Sequence, residues 1–487
     1  MSEQVKIFLS QEKKQELLLK PGECLLPVLL DKLGQTGAGS FSPCAGGGKC
    51  GRCRVRFMDN PPMPTPTERV MLEPEELRRG VRLACLTRPV KDCTLDITAL
   101  LEQMAKTRDY EIATQCTFSF PSAFREKKAD TSPYLLAIDL GTTTIATALY
   151  ERESGSVLTY AAAMNPQRKF GADVVSRMQA ALEEEAYAKA LQDCVWEQVG
   201  KLVEDTLQRA AVQKTVKDRT SLEVLRKQVK LVLAGNTTMV HLFLGLPVDT
   251  LAKAPFTPVT LAPAPMEFQG MSMEIVPGIS AFVGGDIVAG MSACGILEKQ
   301  AEDTFFLDLG TNAEMVYRRK DGQIVATAAA AGSAFEGSSD KSVYGSEAVH
   351  ELARLLQTGR IDRSGTYREG TETTLSQQEI RNLQLAKAAV RAGMEILCEG
   401  SCPGKILLAG GFGRKLRIED GIAIGLFPEE ARGRILAVGN TALYGACLYG
   451  YLSEKTLFRE RLRQVKTCNL AREPEFQQLF LRYCDFR

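Results

Sequence analysis

The tetrapeptide Asp-Leu-Gly-Thr occurs twice in this chain, and each copy closes an apolar run: YLLAIDLGTTTIATALY carries Asp139 and TFFLDLGTNAEMVY carries Asp308. An apolar run, a Gly-containing turn and a second apolar run read as strand, turn and strand. A strand hairpin repeated at this distance predicts two similar lobes. Further strand-like runs, VKLVLAGN and KILLAGG, alternate with longer helical patterns, which is the pattern of an α/β fold.

The chain has 487 residues, room for about three domains. Its 45% hydrophobic and 24% charged residues are ordinary globular usage, which sets aside disordered, collagen-like and coiled-coil classes. Sixty Lys and Arg against fifty-nine Asp and Glu leave a net charge of +1, without the basic surface that nucleic acids require, so no nucleic-acid partner is expected. No uncharged apolar run reaches the length of a membrane span, and MSEQVKIFLSQEKKQE has no apolar signal core; a cytoplasmic protein with no membrane partner is expected.

Two histidines are too few for a His-rich metal centre, whereas fourteen cysteines are many for a cytosolic chain. Cys44, Cys50 and Cys53 lie in SPCAGGGKCGRC with the spacing C-x5-C-x2-C, and Cys85 follows in RLACLT. Three thiolates from one Gly-rich loop and a fourth from elsewhere suit a [2Fe-2S] cluster, since the glycines let backbone N–H groups approach the sulfurs. A zinc ribbon draws two thiolates from each of two close pairs, and Cys85 has no such partner. Cys398 and Cys402 supply too few ligands for a second site. They and the remaining cysteines, Cys24 and Cys93 among them, read as reduced and structural.

Around the cysteines, VKIFL and QELLLK read as strands, GECLLPVLLDKLG as a helix, NPPMPTPTE as a Pro-rich surface loop and CTLDI as a closing strand. The expected domains are 1–98 for the cysteine-bearing unit, 99–132 for a polar linker, 133–455 for a two-lobed body and 456–487 for a C-terminal extension packed on it. The x5 loop resembles the ferredoxin domains of adrenodoxin and of the sodium-pumping quinone reductase.

No Walker P-loop is present. Instead, the turns after Asp139 and Asp308 can offer N–H and hydroxyl donors to phosphate oxygens, with Gly141 and Gly310 allowing close approach. Thr142, Thr143, Thr311 and Asn312 are the expected phosphate contacts. Asp139 and Asp308 are assigned to the Mg²⁺ side, because a hard cation favours carboxylate oxygen and retained water. Gly410 and Gly411, after the strand KILLA, are expected in a side-chain-free loop that admits a purine and ribose. Asn236 and Thr237 in AGNTT either touch phosphates or shape a turn. Asp286 in VGGDIVAG is either catalytic or a helix N-cap, with Glu314 a further candidate for activating water. His241, in an apolar stretch, is expected to be a packed residue.

The two DLGT hairpins and the late AGG resemble the phosphate-1, phosphate-2 and adenosine motifs of the actin, sugar kinase and heat-shock chaperone superfamily, and VGNTALYGA resembles its last connecting helix. Together with the cysteine unit and with NPQRKFGADVVSRM, AGNTTMVHLFLG, PFTP, AAAAGSAFEG, QLAKAAVRAGMEIL and LAGGFGRKL, the chain is similar over nearly its whole length to the reductive activators of corrinoid-dependent methyltransferase systems. The family pattern has Gly at the position of Ala313 and Pro at that of Ser333.

The resemblance implies an N-terminal β-grasp ferredoxin-like domain followed by a two-lobed actin/sugar-kinase-like ATPase domain, α/β overall. It implies an iron-sulfur ATPase that returns Co(II) cobalamin to Co(I) by one electron, with Asp139 and Asp308 as catalytic residues that hold Mg²⁺ and orient the attacking water. The expected partners are a corrinoid (cobalamin-binding) protein and an external electron donor, and homodimerisation stays open. The alternatives are a redox-regulated small-molecule kinase of the same superfamily, an electron-transfer module on a degenerate ATPase scaffold, or an activator of a radical dehydratase.

Overall fold

A computed structural model describes residues 5–9, 15–32, 53–100, 132–171, 173–212, 221–298, 302–310, 312–329, 331–335, 345–373, 375–452 and 455–486. Cys44, Cys50 and Thr311, and the expected linker up to residue 131 apart from its first two residues, lie outside the described residues. The chain forms two compact units, Met1–Ile112 with Ala162–Pro166, and Ala113–Ala161 with Gln167–Arg487.

In the first unit, β1 (Val5–Leu9), β2 (Gln15–Leu19), β3 (Arg54–Phe57), β4 (Val81–Leu83) and β5 (Cys93–Asp96) form one sheet in the order β2-β1-β5-β3-β4. β1 alternates buried and exposed residues, the signature of a strand with one face on a core. Its neighbours are antiparallel β2 and parallel β5. The helix Leu25–Lys32 lies within the connection out of β2 and buries Leu25, Leu26, Leu29 and Leu30. That spacing puts all four on one helical face, toward the same core as Ile7, Leu19, Val55 and Leu95. The arrangement is a β-grasp.

The expected Pro-rich loop is only partly a loop. Thr65 caps a helix, Pro66–Met71, and Glu68 completes a capping box by accepting from the Thr65 backbone N–H at 2.8 Å. Proline at the first helical position costs no hydrogen bond, so the Pro-rich composition conceals a helix start. The second carboxylate oxygen of buried Glu68 accepts from the Leu83 N–H at 2.7 Å and anchors the helix to β4.

Two six-stranded sheets of one design belong to the second unit, apart from the last three residues of β8. β6 (Tyr134–Leu140), β7 (Thr144–Glu151), β8 (Val157–Met164), β9 (Val229–Gly235), β10 (Met266–Phe268) and β11 (Met271–Ile275) lie in the order β10-β11-β9-β6-β7-β8. β12 (Thr304–Leu309), β13 (Ala313–Arg318), β14 (Ile324–Ala329), β15 (Lys405–Ala409), β16 (Ile435–Gly439) and β17 (Lys466–Thr467) lie in the order β16-β15-β12-β13-β14-β17. In each sheet a DLGT strand pairs antiparallel with the strand after it and parallel with a later one: β6 with β7 and β9, β12 with β13 and β15. The repeat in the sequence is therefore a repeat of topology. β17 extends the second sheet through parallel pairing with β14, so the C-terminal residues contribute a strand to it.

Two helices run between these sheets. Gly285–Ala293 precedes β12, and Thr441–Tyr451, every residue of which is buried, follows β16. They meet backbone to backbone: a methyl group on Gly445 would stand 1.9 Å from the Ala289 carbonyl oxygen. On the other side, a methyl group on Gly450 would press into Leu135 and Val232 of the first sheet. Because a carbonyl in a packed helix cannot retreat, Gly445→Ala is expected to destabilise this unit by about 2–4 kcal/mol, read as a lower urea midpoint with an unchanged slope.

Candidate functional site

In the first unit, Cys53 and Cys85 stand side by side. Both are buried, and their sulfurs are 3.2 Å apart, well beyond the roughly 2.04 Å of a disulfide bond. The backbone fixes this pairing. The Ala84 N–H donates to the Cys53 carbonyl at 2.8 Å, while the Leu25 and Leu26 N–H groups, unused inside their own helix because they open it, donate to Thr87 and Ala84 carbonyls at 3.0 and 3.2 Å. The Thr87 hydroxyl closes the same turn on the Leu83 carbonyl at 2.8 Å.

Two adjacent thiols on a strand-end turn are what two ligands of one metal require, so Cys53 and Cys85 fit an iron-sulfur group. Cys93 does not. Burial first, then the charges of Asp59 and Asp92, push its thiol up to about 12, which keeps it protonated in the folded unit.

The second site lies where the two DLGT hairpins meet. Asp139 and Asp308 are the last residues but one of β6 and β12, and a turn built on glycine follows each strand. Gly141 is required there, since a methyl group on it would stand 2.5 Å from the Thr144 carbonyl oxygen. In the second hairpin the Gly310 N–H donates to the Asn312 carbonyl at 2.9 Å. The hairpins differ across the strand pair: Ala146 faces Asp139, but Glu314 faces Asp308. Like charges directly opposed destabilise a sheet, so this pairing is a cost that the fold itself does not need.

Asp286 joins them from the first turn of the helix Gly285–Ala293. It is not the N-cap; Gly284 holds that position, and the Asp286 carboxylate accepts from the Ile287 N–H at 2.8 Å. Glycine is forced at the cap because a Cβ there would stand 2.5 Å from the Asn236 Cα.

Burial raises all four carboxylates, and Asp286 adds to the rise of the other three. Burial, with repulsion from Asp286, pushes Asp139 up to about 7 against the relief of a hydrogen bond from Asn440. Burial and the charges of Asp286 and Asp139 push Asp308 up to about 7. Burial pushes Asp286 up to about 6, and Glu314 is raised well above the usual carboxylate range by burial, then by Asp286 and Asp308. Carboxylates from both sheets thus face one region of crowded negative charge, a setting that favours a cation.

Among the described residues no three His, Cys, Asp or Glu side chains form a group that could hold a metal ion unaided. A Mg²⁺ ion would be held by one or two carboxylates together with phosphate oxygens and water, which is its usual manner.

The neighbouring residues shape this region. Asn236 caps the helix Thr237–Leu244 by accepting from the Met239 N–H at 2.9 Å and donates to the Thr142 hydroxyl at 3.0 Å. It therefore shapes a turn and steadies the first hairpin at once. Thr237 donates to the Ser280 carbonyl at 2.7 Å. Gly410 and Gly411 are not a loop but open a short helix, Gly410–Lys415; Gly410 has φ +83°, and a Cβ on it would come within 2.7 Å of the Asp308 carboxylate. Strand β15 runs straight into that helix, and glycine there leaves room beside Asp308. His241 is fully buried, with its ring nitrogens bonded to the Thr237 carbonyl and the Val259 N–H at 2.7 and 3.1 Å.

Two residues escape a reading of the sequence. Arg177, fully buried, donates to the Thr142 carbonyl at 2.7 Å and the Gly171 carbonyl at 3.0 Å, and so props the first hairpin from behind. Asn440 donates to Asp139 at 2.7 Å from 301 residues away. Only an Asn before a helical run marks it in the sequence, and that signal predicts a cap alone.

Comparison with known proteins orders these units. Residues 10–90 match the 2Fe-2S iron-sulfur cluster binding domain, residues 134–299 the RACo middle region, and residues 302–353 and 346–487 the C-terminal domain of RACo, the ASKHA domain. The chain belongs to the RACo family. Within it, the chain is 26% identical over 440 residues to the corrinoid activation enzyme RamQ of Eubacterium limosum, covering 74% of this chain and 71% of that one. A solved structure described as a reductive activator for corrinoid, iron-sulfur protein superposes with a TM-score of 0.61 at 24% identity, covering 99% of this chain and 98% of the other, and shares its fold. A component of the Na(+)-translocating NADH-quinone reductase of Idiomarina loihiensis is 32% identical over 95 residues, 19% of this chain and 22% of that component.

The family's order is the one expected: a ferredoxin-like β-grasp unit first, an ASKHA, or actin/sugar-kinase-like, unit after it. The C-terminal match runs to Arg487, through β17. Among the described residues no helix is long and apolar enough to cross a membrane.

Proposed function

We propose that this chain reactivates a corrinoid protein of a methyltransferase system. One electron from an external low-potential donor converts Co(II) cobalamin to Co(I), and ATP is hydrolysed to ADP and phosphate as the change proceeds. The observation that carries this reading is the union, in one RACo-family chain, of a buried thiol pair in a 2Fe-2S-type unit with a carboxylate-lined hairpin pair in an ASKHA unit.

Cys44, Cys50, Cys53 and Cys85 would hold the [2Fe-2S] group, which when bound supplies a one-electron carrier. Asp139 and Asp308 would hold Mg²⁺, whose charge offsets that of the phosphates. Gly141, Thr142, Thr143, Gly310, Thr311 and Asn312 would meet phosphate oxygens, Asn236 would keep Thr142 in place, and Gly410 and Gly411 would leave space for the nucleoside. Asp286, raised toward neutrality, is suited to orient or deprotonate water at working pH.

The lever is differential affinity: an ATP-bound form that prefers one state of the corrinoid protein shifts that protein's equilibrium by the difference. The domain limits we assign are 1–98, 99–132, 133–455 and 456–487, in a cytoplasmic protein.

ATP turnover tests the partner. The purified holoprotein is expected to hydrolyse ATP several-fold faster when a Co(II) corrinoid protein is added and to ignore sugars and small acids. Stimulation by a sugar, with a phosphorylated product, would replace the reading with a kinase.

A further inference from the structure

Asn440 makes two bonds with one amide. Its oxygen accepts from the Leu443 N–H at 2.9 Å and caps the buried helix Thr441–Tyr451. Its nitrogen donates to an oxygen of Asp139 at 2.7 Å. The residue follows β16 at the edge of the second sheet, while Asp139 is the last residue but one of β6 in the middle of the first.

The helix it caps cannot slide. Gly445 is jammed on the Ala289 carbonyl, Gly450 on Leu135 and Val232, and Thr441 lies against Gly290. The Nδ2 donor is thus presented from a fixed point, and of the two oxygens of Asp139 it engages one, Oδ2. A carboxylate that must give an oxygen to a cation in a crowded acidic region gains from having the other held, because rotation about its terminal bond is otherwise broad.

Resting on the nucleotide reading above, we propose that Asn440 is a positioning residue for metal-nucleotide binding, fixing the Asp139 carboxylate from the opposite sheet through the capped start of the helix Thr441–Tyr451. In this role Asn440 would act through Asp139, the carboxylate its amide holds.

The cap and the donor can be separated by mutation. Serine and aspartate both cap helices well, but serine is too short to reach Asp139 and aspartate presents an oxygen where the donor stood. Asn440→Ser is therefore expected to melt within a few degrees of the parent, whereas Asn440→Asp sets a second carboxylate against Asp139 and is expected to melt lower.

The experiment is calorimetric titration of the full-length holoprotein with ATP, once in EDTA and once at a series of Mg²⁺ concentrations. In the parent, Mg²⁺ tightens ATP binding. In Asn440→Ser the Mg²⁺ concentration giving half of that effect rises roughly 10- to 100-fold, the usual consequence of losing an outer hydrogen-bond partner of a ligand. Binding in EDTA stays within about twofold of the parent. Asn440→Asp, adding a like charge, shifts in the same direction and at least as far.

An unchanged Mg²⁺ dependence in both variants, or an equal loss with and without Mg²⁺, overturns the role of Asn440 and leaves the nucleotide reading standing. Absence of any Mg²⁺ effect in the parent overturns both.

Discussion

Cys85→Ser, reconstituted anaerobically with iron and sulfide, is expected to hold at least about tenfold less iron than the parent and to lose its visible colour. Loss of a residue that merely orients a metal ligand costs about 10- to 100-fold in affinity, and loss of a ligand should cost no less. Cys85 and Cys53 are buried together with sulfurs 3.2 Å apart, so replacing either leaves the group one thiolate short. Cys53→Ser should behave alike. The control is Cys93→Ser, equally buried in the same core but with its thiol pushed up to about 12; it should retain its iron. If Cys85→Ser keeps full iron and colour, or if Cys93→Ser loses both, the assignment of the thiol pair fails.

The second large effect is a gain in stability that accompanies a loss of function. Asp308 is pushed up to about 7, first by burial and then by Asp286 and Asp139, whereas in the unfolded chain it titrates near 3.9. Between those values the folded state binds the extra proton, so its stability falls as pH rises from about 4 to 7 and is level beyond. Asparagine has no charge to lose.

Asp308→Asn without nucleotide should therefore match the parent near pH 4 and exceed it by about 1–2 kcal/mol at pH 8. That figure is set below the full electrostatic cost because the side chain is partly exposed. Asp139→Asn should gain about as much, because its carboxylate is pushed up to about 7 even with the Asn440 hydrogen bond. Both should lose the Mg²⁺-dependent tightening of ATP. Thermal melts across pH 4–8 check the sign; a variant less stable than the parent at pH 8 would contradict the burial of an uncompensated charge there.

A Gly-containing turn after an apolar strand is a local signal, and Asp139, Gly141, Asp308 and Gly310 fall where it puts them. The strands VKIFL and QELLL and the helix from Leu25 follow from periodicity, with Val5, Ile7 and Leu9 turned to one face.

A local signal misleads where it has two meanings. Proline at 66 suggests a loop, yet with Thr65 and Glu68 it opens a helix. The glycines at 410 and 411 suggest a loop, yet the strand before them passes straight into a helix. Gly284, not Asp286, caps its helix, because the space beside Asn236 admits no side chain. What no local signal carries is pairing at a distance. Arg177 on the Thr142 carbonyl and Asn440 on Asp139 are set by tertiary contact alone.

The most direct measurement follows the cobalt. A corrinoid protein poised as Co(II) is mixed anaerobically with a low-potential reductant and the holoprotein, and its visible spectrum is recorded before and after ATP. Co(I) should accumulate only when chain, reductant and ATP are all present, and not when Cys85→Ser or Asp308→Asn replaces the parent. Co(I) forming at the same rate without ATP, or not forming with every component present, would contradict the account.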